Sequence, residues 1–376
     1  MDVTDLRIAL FSGNYNYTRD GANQALNRLA GYLLKRGAGL RVYAPGDADP
    51  DFPPTGDLVN VPNVRMPVKG RGEYRLPLRI DDRVRADLDT FKPNLVHLSS
   101  PDPVAHAALK WARERDLPVL ASVHTRFETY PRYYKMGFLE PVIESLLRRF
   151  YRKCDALVAP SPGMVDVLCS QRMNRDIGIW TRGIDREVFH PGARDMEWRR
   201  EMGIADDEVV ITFLGRLVME KGLDVFVDTI IELRKKQIPH KVMVIGDGPA
   251  RGWFEKALPG GIFVGQQEGT DLGRAVASMD LLFNPSVTET FGNVTLEAMA
   301  CGLPVVVPDV PSYREWVRDG VNGFIAPRKD PGAIAERLLL LLRSGDMARE
   351  MGERNLGIAR DKADWDRNFA KLEQVY

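Results

Sequence analysis

Cysteine is scarce in this chain: Cys154, Cys169 and Cys301 are the only three among 376 residues. An odd number without C-x-x-C spacing argues against a disulfide framework or a zinc site, and makes a reducing compartment the expectation. Charge of one sign is also lacking, since 52 basic residues face 52 acidic ones, so no global field calls for nucleic acid. Long apolar runs are missing. The longest, Leu338–Leu342, lies between Arg337 and Arg343 and is far too short to span a bilayer. The first residues, MDVTDLRIALF, put acidic side chains before a short apolar run, which is not the pattern of a signal peptide. The expectation is a cytoplasmic chain that does not cross a membrane, although it could lie on one. The loop after the first apolar run lacks G-x-G-x-x-G spacing, which disfavours a nicotinamide cofactor.

What is present is alternation. Arg7–Phe11 reads as a strand, Ala22, Leu26, Leu29, Ala30 and Leu33 recur at helical spacing, and Leu40–Ala44 returns to strand. Leu95–Leu98, Val119–Val123 and Ala156–Ala159 continue the pattern. A second series begins at Val209–Leu214 and runs through Lys241–Ile245, Ile262–Val264, Leu281–Phe283 and Pro304–Val307. Such alternation predicts parallel strands with helical crossovers, an α/β architecture of two Rossmann-like doubly wound domains. The turn-rich stretch Gly183–Gly192 reads as the linker. The expected division is 1–185, 186–360, and a C-terminal helix 361–376 that could pack on either domain. Two such domains are expected to face a central cleft with the carboxyl ends of both sheets.

Four segments carry candidate chemistry. In Glu289-Thr-Phe-Gly-Asn-Val-Thr-Leu-Glu297 a carboxylate follows a strand, Gly292 stands where a helix should begin, and a second carboxylate lies inside that helix. Backbone N–H groups from Phe291 through Gly292 and Asn293 to Val294 could bind hydroxyl or phosphate oxygens, and carboxylates accept from vicinal hydroxyls. Two solvated glutamates at a helix start are the competing reading. In Leu214-Gly-Arg216-Leu-Val-Met-Glu-Lys221-Gly222, two cations on a strand–loop–helix turn can neutralise a diphosphate without a metal; ordinary exposed charges would look the same. His124 ends a strand at the mouth of the sheet, whereas His97, His106, His190 and His240 have no comparable context. The loop Ser12–Gly21, with Tyr15 and Tyr17, occupies the place of a dinucleotide-binding turn. Asp47-Ala-Asp49 resembles a metal-binding D-x-D by letters only and reads as a solvated turn. Gly246-Asp-Gly-Pro249 is a tight turn that would let a ligand approach closely. No metal ligand set is expected.

Together, G-R-L-x-x-E-K-G, the E-x7-E block within P-S-x-x-E-x-F-G-x-x-x-L-E-A-M-A-x-G-x-P-V-V, the G-D-G-P turn and R-G-I-D-x-x-x-F-x-P resemble glycosyltransferase family 4, across nearly the whole chain and in family order. The resemblance implies a GT-B fold and a retaining, metal-independent transfer of a hexose or hexuronic acid from a nucleotide sugar, with UDP the family-weighted nucleotide. It implies an acceptor-binding first domain and a donor-binding second one. Arg216 and Lys221 would hold the diphosphate, Glu289 the transferred sugar and Glu297 the ribose. Phe291, Gly292 and Asn293 would present backbone groups to the sugar, with Gly21 and Gly246 approaching the donor, and His124 would line the reacting face. No cofactor is implied, because the nucleotide sugar is a substrate.

The first loop departs from the family, with Gly21-Ala22 after an Asn-Tyr-Asn-Tyr insertion where a Gly-Gly pair is common. His124–Tyr134 and Trp180–Asp185 look most like the branch that glycosylates membrane lipids, including sulfoquinovosyl and mannosyl lipid synthases. Tyr15, Tyr17, Arg126 and Tyr130 are then the acceptor-binding candidates. Residues 1–185 carry 27 basic and 22 acidic side chains, and residues 126–153 carry seven and three, interleaved with aromatics. A second basic run, 65–85, has the same balance. Val142, Ile143, Leu146, Leu147 and Phe150 form an apolar stripe. Basic, aromatic helices settle at anionic bilayers, so a peripheral position on the inner membrane face with a lipid acceptor is one reading. A stripe packed in the core, and a soluble sugar or small polar acceptor, is the other. A nucleotide-sugar epimerase, a phosphorylase or a non-catalytic donor-binding subunit could share the fold.

Overall fold

Strands that are apolar on both faces must be covered on both, and parallel pairing with helical crossovers does this. The computed structural model, which describes residues 2–17, 21–46, 50, 52–65, 75–134 and 136–376, has this arrangement twice. The chain divides into Met1–Arg182 with Asp366–Tyr376, and Gly183–Trp365.

In the first unit, β1 (Arg7–Phe11) leads to α1 (Gly21–Lys35), β2 (Gly39–Pro45) and β3 (Asp57–Val61). A small antiparallel pair follows, β4 (Asn63–Arg65) with β5 (Arg75–Pro77). Then come α2 (Asp82–Phe91), β6 (Leu95–Leu98), α3 (Pro103–Arg113) and β7 (Val119–Ser122). After α4 (Glu140–Tyr151) the unit continues with β8 (Ala156–Ala159), α5 (Pro162–Ser170) and β9 (Ile177–Ile179). Among the described residues the seven-stranded sheet has order β3-β2-β1-β6-β7-β8-β9. Side chains start the helices where the sequence offers them: Asp81, Asp102 and Ser161 accept from Val84, Ala105 and Met164 N–H groups, each cap contributing about 1 kcal/mol. Phe11 stacks on Tyr43 across β1 and β2, centroids 4.8 Å apart.

The second unit runs α6 (Met196–Glu201), β10 (Val210–Leu214), α7 (Leu223–Lys235), β11 (Lys241–Ile245), α8 (Arg251–Ala257), β12 (Ile262–Gly265) and α9 (Gly269–Ala277). It continues with β13 (Leu281–Phe283), α10 (Asn293–Ala300), β14 (Val305–Pro308) and β15 (Gly323–Ala326), and then α11 (Pro331–Arg343) and α12 (Gly345–Lys362). Its parallel sheet has order β12-β11-β10-β13-β14-β15. Phe213, Phe226, Phe254 and Phe283 fill one face with edge-on and stacked rings.

The strands read from the sequence are present within a residue or so. Those not anticipated are β3, β9 and β15, all sheet edges, with β4 and β5. An edge strand is paired on one side only and needs no continuous apolar run, and a glycine in β9 and at the start of β15 hides the pattern further.

The stretch read as a linker is not a loose connection. Ile184 and Phe189 are buried in the core of the second unit, and the Ile184 N–H donates to the Ala363 carbonyl at 3.0 Å. The division falls at Arg182/Gly183 instead of after residue 185, because those apolar side chains belong to the second core. The last helix, α13 (Trp365–Glu373), begins at the other division. From Asp366 onward the chain packs with the first unit: Tyr32 donates to Glu373 at 3.0 Å, and the Tyr376 hydroxyl lies 2.8 Å from His97 Nδ1. No helix among the described residues is long and apolar enough to cross a membrane. Asp47 and Asp49, and residues 66–74 of the second basic run, lie outside the described residues.

Candidate functional site

In each sheet the strand order reverses between two neighbours, β1 and β6 in the first unit and β10 and β13 in the second. Crossovers leave such a pair toward opposite faces, opening a crevice at the carboxyl ends. In the second unit this is where the charged motifs gather. Gly215 ends β10 with φ of 143°, Arg216 follows it half-buried, and Met219–Lys221 form a short 3₁₀ turn. The loop after β13 meets that turn at three points. Lys221 Nζ donates to a carboxylate oxygen of Glu289, Thr288 Oγ1 donates to the Glu220 carbonyl at 3.2 Å, and Gly222, at φ 76°, lies against Pro285. A Cβ on Gly222 would stand 3.0 Å from the Pro285 carbonyl oxygen, so glycine is required by both backbone and neighbour.

Gly292, at φ 91°, begins α10 without a side-chain cap, and a Cβ there would stand 3.0 Å from the Tyr313 ring. The first intrahelical bond runs from Thr295 N–H to the Gly292 carbonyl, so the N–H groups of Asn293 and Val294 precede the ladder. Phe291 anchors this start edge-on to Trp316, centroids 5.1 Å apart. Ser312 Oγ donates to the Glu289 carbonyl at 2.8 Å. Glu297 lies one turn further on. Burial, and secondarily the charge of Glu289, push its carboxyl up to about 7.

Gly246 has a packing role of its own. Its N–H donates to the Gly265 carbonyl at 2.8 Å, and a Cβ would fall inside the Gly215 carbonyl. Its lack of a side chain serves the packing of one loop on another.

In the first unit His124 follows β7. Arg182 Nη2 lies 3.1 Å from His124 Nδ1, and Arg182 Nη1 donates to the carbonyl of Gly21, the first residue of α1. The Trp180 ring meets His124 edge-on at 5.3 Å. Burial, then Arg182, then His97 hold the His124 imidazole well below the usual histidine range. His97 is itself buried between Ser122 Oγ at 2.9 Å and Tyr376, which pushes it down to about 3.

Two acceptor candidates need correction. Tyr15 is wholly buried with its hydroxyl on the Thr55 carbonyl at 2.9 Å. Tyr17 is buried over Gly46 and donates to Asn60 Oδ1 at 2.7 Å. Their rings pack the loop in place and offer no face to a ligand. Arg126 pairs with buried Glu128 at 2.7 Å, and Tyr130 meets Phe127 edge-on. Arg182 and Thr288 escaped sequence reading. Arg182 stood in the sequence as the first residue of the R-G-I-D run, with no role attached to it, and Thr288 carried no signal.

These loops are what comparison with known proteins bears on. A family model described as Glycosyltransferase Family 4 matches residues 19–188, and one described as Glycosyl transferases group 1 matches residues 208–344. A GDP-mannose-dependent alpha-mannosyltransferase of Mycolicibacterium smegmatis is 30% identical over 89% of this chain and 93% of its own. The chain belongs to glycosyltransferase family 4.

This family 4 glycosyltransferase is also similar to an alpha-monoglucosyldiacylglycerol synthase of Streptococcus pneumoniae, 23% identical over 89% of this chain and 78% of that one. Sucrose-phosphate synthase from Thermosynechococcus elongatus shares its fold, with a TM-score of 0.81 at 17% identity over 99% of this chain and 98% of that one. The fold is GT-B, and the enzyme is a hexosyltransferase. The residues in which the family motifs meet, Arg216, Lys221, Glu289, Gly292 and Glu297, are those the second unit's reversal point brings to one sheet edge.

Proposed function

We propose that this glycosyltransferase moves a hexose or hexuronic acid from a UDP-sugar onto a membrane lipid, with retention and without a metal ion, from a peripheral position on the inner membrane face. The observation that carries the lipid reading is an exposed apolar ridge in the first unit. Phe138 is 75% exposed, Leu146 61% and Val142 55%. Val142, Leu146, Arg149 and Lys153 follow one another at helical spacing on one side of α4 and just past its end, while Leu147 and Phe150 turn into the core. The stripe read from the sequence is therefore split between core and surface. An exposed ridge of large apolar side chains flanked by cations fits an anionic bilayer surface better than water alone. The name of the pneumococcal relative, a synthase of a glucosylated diacylglycerol, supports the same acceptor class.

In this reading the donor's diphosphate displaces Glu289 from Lys221 and is held by Lys221 and Arg216. Glu289, released, accepts from hydroxyls of the transferred sugar, while Glu297 accepts from the ribose. The acceptor oxygen attacks the anomeric carbon on the face from which the phosphate departs. The bond from that carbon to phosphate oxygen breaks as the new one forms, and the acceptor's proton passes to the leaving phosphate. Charge growing on that phosphate is what the two cations stabilise.

A single assay tests it: UDP- and GDP-sugars, GDP-mannose among them, offered with an anionic lipid extract in excess chelator. Radiolabel partitioning into organic solvent, with the product's anomeric configuration matching the donor's, is the expected result. Label reaching only a water-soluble sugar overturns the lipid acceptor, and activity restored by magnesium or manganese overturns metal independence.

A further inference from the structure

Arg182 is 5% exposed and closes the first unit. Its guanidinium reaches His124 Nδ1 and the Gly21 carbonyl together, and its own carbonyl accepts from Asn368 Nδ2 of α13 at 3.0 Å. A guanidinium carries donors only. Nδ1 of His124 must therefore be the acceptor, and the ring's single proton is left on Nε2.

We propose that Arg182 is a positioning residue: it holds His124 as the neutral Nε2–H imidazole while fixing the start of α1 at Gly21. His124 then serves the reaction as a hydrogen-bond donor from Nε2 and does not collect the acceptor's proton. This rests on the reading of His124 as part of the reacting face. The other groups packed around the ring agree. Trp180 presents an apolar edge, and His97, kept neutral by burial between Ser122 and Tyr376, supplies no anion to stabilise an imidazolium. Nothing among these partners favours the charged ring, and a cation beside it opposes it. An Nε2–H donor suits a sugar hydroxyl or a phosphate oxygen gaining charge, and leaves the acceptor's proton to the departing phosphate.

The test is nitrogen-15 NMR of the histidine side chains in the full chain, with a His124→Gln spectrum identifying the signal. Wild-type His124 is expected to show a protonated Nε2 and a bare Nδ1, unchanged between about pH 5 and 8, where free histidine titrates. Arg182→Met, which keeps the stem and loses the donors, should mix the tautomers or bring titration into that window. Arg182→Lys, which keeps one donor, should restore the wild-type pattern. A proton on wild-type Nδ1, titration of the wild type in that window, or an unchanged spectrum in folded Arg182→Met overturns the proposal. If Arg182→Met does not fold, the wild-type and Arg182→Lys spectra still decide. No donor or acceptor is present in this experiment, so it stands or falls apart from the substrate reading. In a transfer assay Arg182→Met should lower kcat about tenfold with donor KM little changed, the loss of one well-placed hydrogen bond. An unchanged kcat beside an altered spectrum would remove the link to transfer.

Discussion

Lys221 Nζ donates to the carboxylate of Glu289 across 68 residues of sequence, joining the loop after β10 to the loop after β13. With Glu289 side chain 14% exposed and Lys221 31%, the contact is partly shielded from water. The cation read as a diphosphate ligand and the carboxylate read as a sugar ligand are thus each other's partners in this structure. Lys221→Ala removes a charge-assisted contact worth about 1.5–3 kcal/mol. Turnover should fall at least about tenfold, since each decade is roughly 1.4 kcal/mol. Steady-state kinetics on a variant with a native circular dichroism spectrum checks this; wild-type turnover would refute the clamp.

Glu289 and Glu297 should separate in calorimetry. Glu297→Gln is expected to weaken binding of free nucleoside diphosphate about tenfold, the loss of one well-made charged hydrogen bond. Glu289→Gln is expected to impair transfer while leaving that binding within about twofold. The reverse pattern exchanges their roles.

The raised carboxyl of Glu297 makes a pH prediction with a definite sign. The ribose hydroxyls are best accepted by the ionised form, so nucleoside diphosphate affinity should rise as pH increases through about 7, with a proton released on binding. Folding linkage runs the other way. A carboxyl raised above its ordinary value of about 4.5 favours the folded, protonated form at low pH, and that contribution is lost as pH climbs from 4.5 through about 7. Glu297→Gln should flatten both dependences, and Glu289→Gln should lower the midpoint, because the Glu289 charge is the second cause of the shift. Titration calorimetry in buffers of different ionisation heat detects the proton; none released at pH 6.5–7.5 (a window of about half a unit either side of the midpoint) contradicts it.

Gly246→Ala should destabilise the protein by about 3 kcal/mol or more, because a Cβ there would enter the Gly215 carbonyl and the backbone stands at φ 132°. Chemical denaturation measures it. A midpoint equal to that of the wild type would mean the two loops are not packed as described.

Phe138→Ser with Leu146→Ser should weaken binding to anionic vesicles by more than about tenfold, since burying each side chain is worth about 1.5–3 kcal/mol. Arg149 and Lys153 to Gln should remove about 1 kcal/mol each, an effect that fades as salt rises. Arg148 and Arg152 are left alone because Arg148 is engaged with Glu144 and the Gln171 carbonyl and Arg152 with the Arg172 carbonyl. All the altered residues are exposed, so melting temperature and nucleotide affinity should hold. Wild-type protein that stays soluble in low-salt flotation would redirect the search to a soluble acceptor.

The sequence by itself determined the two parallel sheets and where the motif residues fall on them, for a physical reason. Central strands are buried on both faces and need unbroken apolar runs such as Ile8–Phe11 and Leu281–Phe283, and the motif glycines at 215, 222 and 292 mark positions where positive φ favours glycine. Only the tertiary structure decided which polar groups meet. Lys221 with Glu289 joins the loops of β10 and β13, which lie side by side at a reversal of order, whereas Arg182 with His124 and Gly21 joins the chain after β9 to the loops after β7 and β1, strands that are not neighbours. Nor could periodicity tell that Tyr15 and Tyr17 turn inward on Thr55 and Asn60, or that α4 buries Leu147 while exposing Leu146. A helical stripe names apolar positions, but the width of the neighbouring surface decides how many of them it covers.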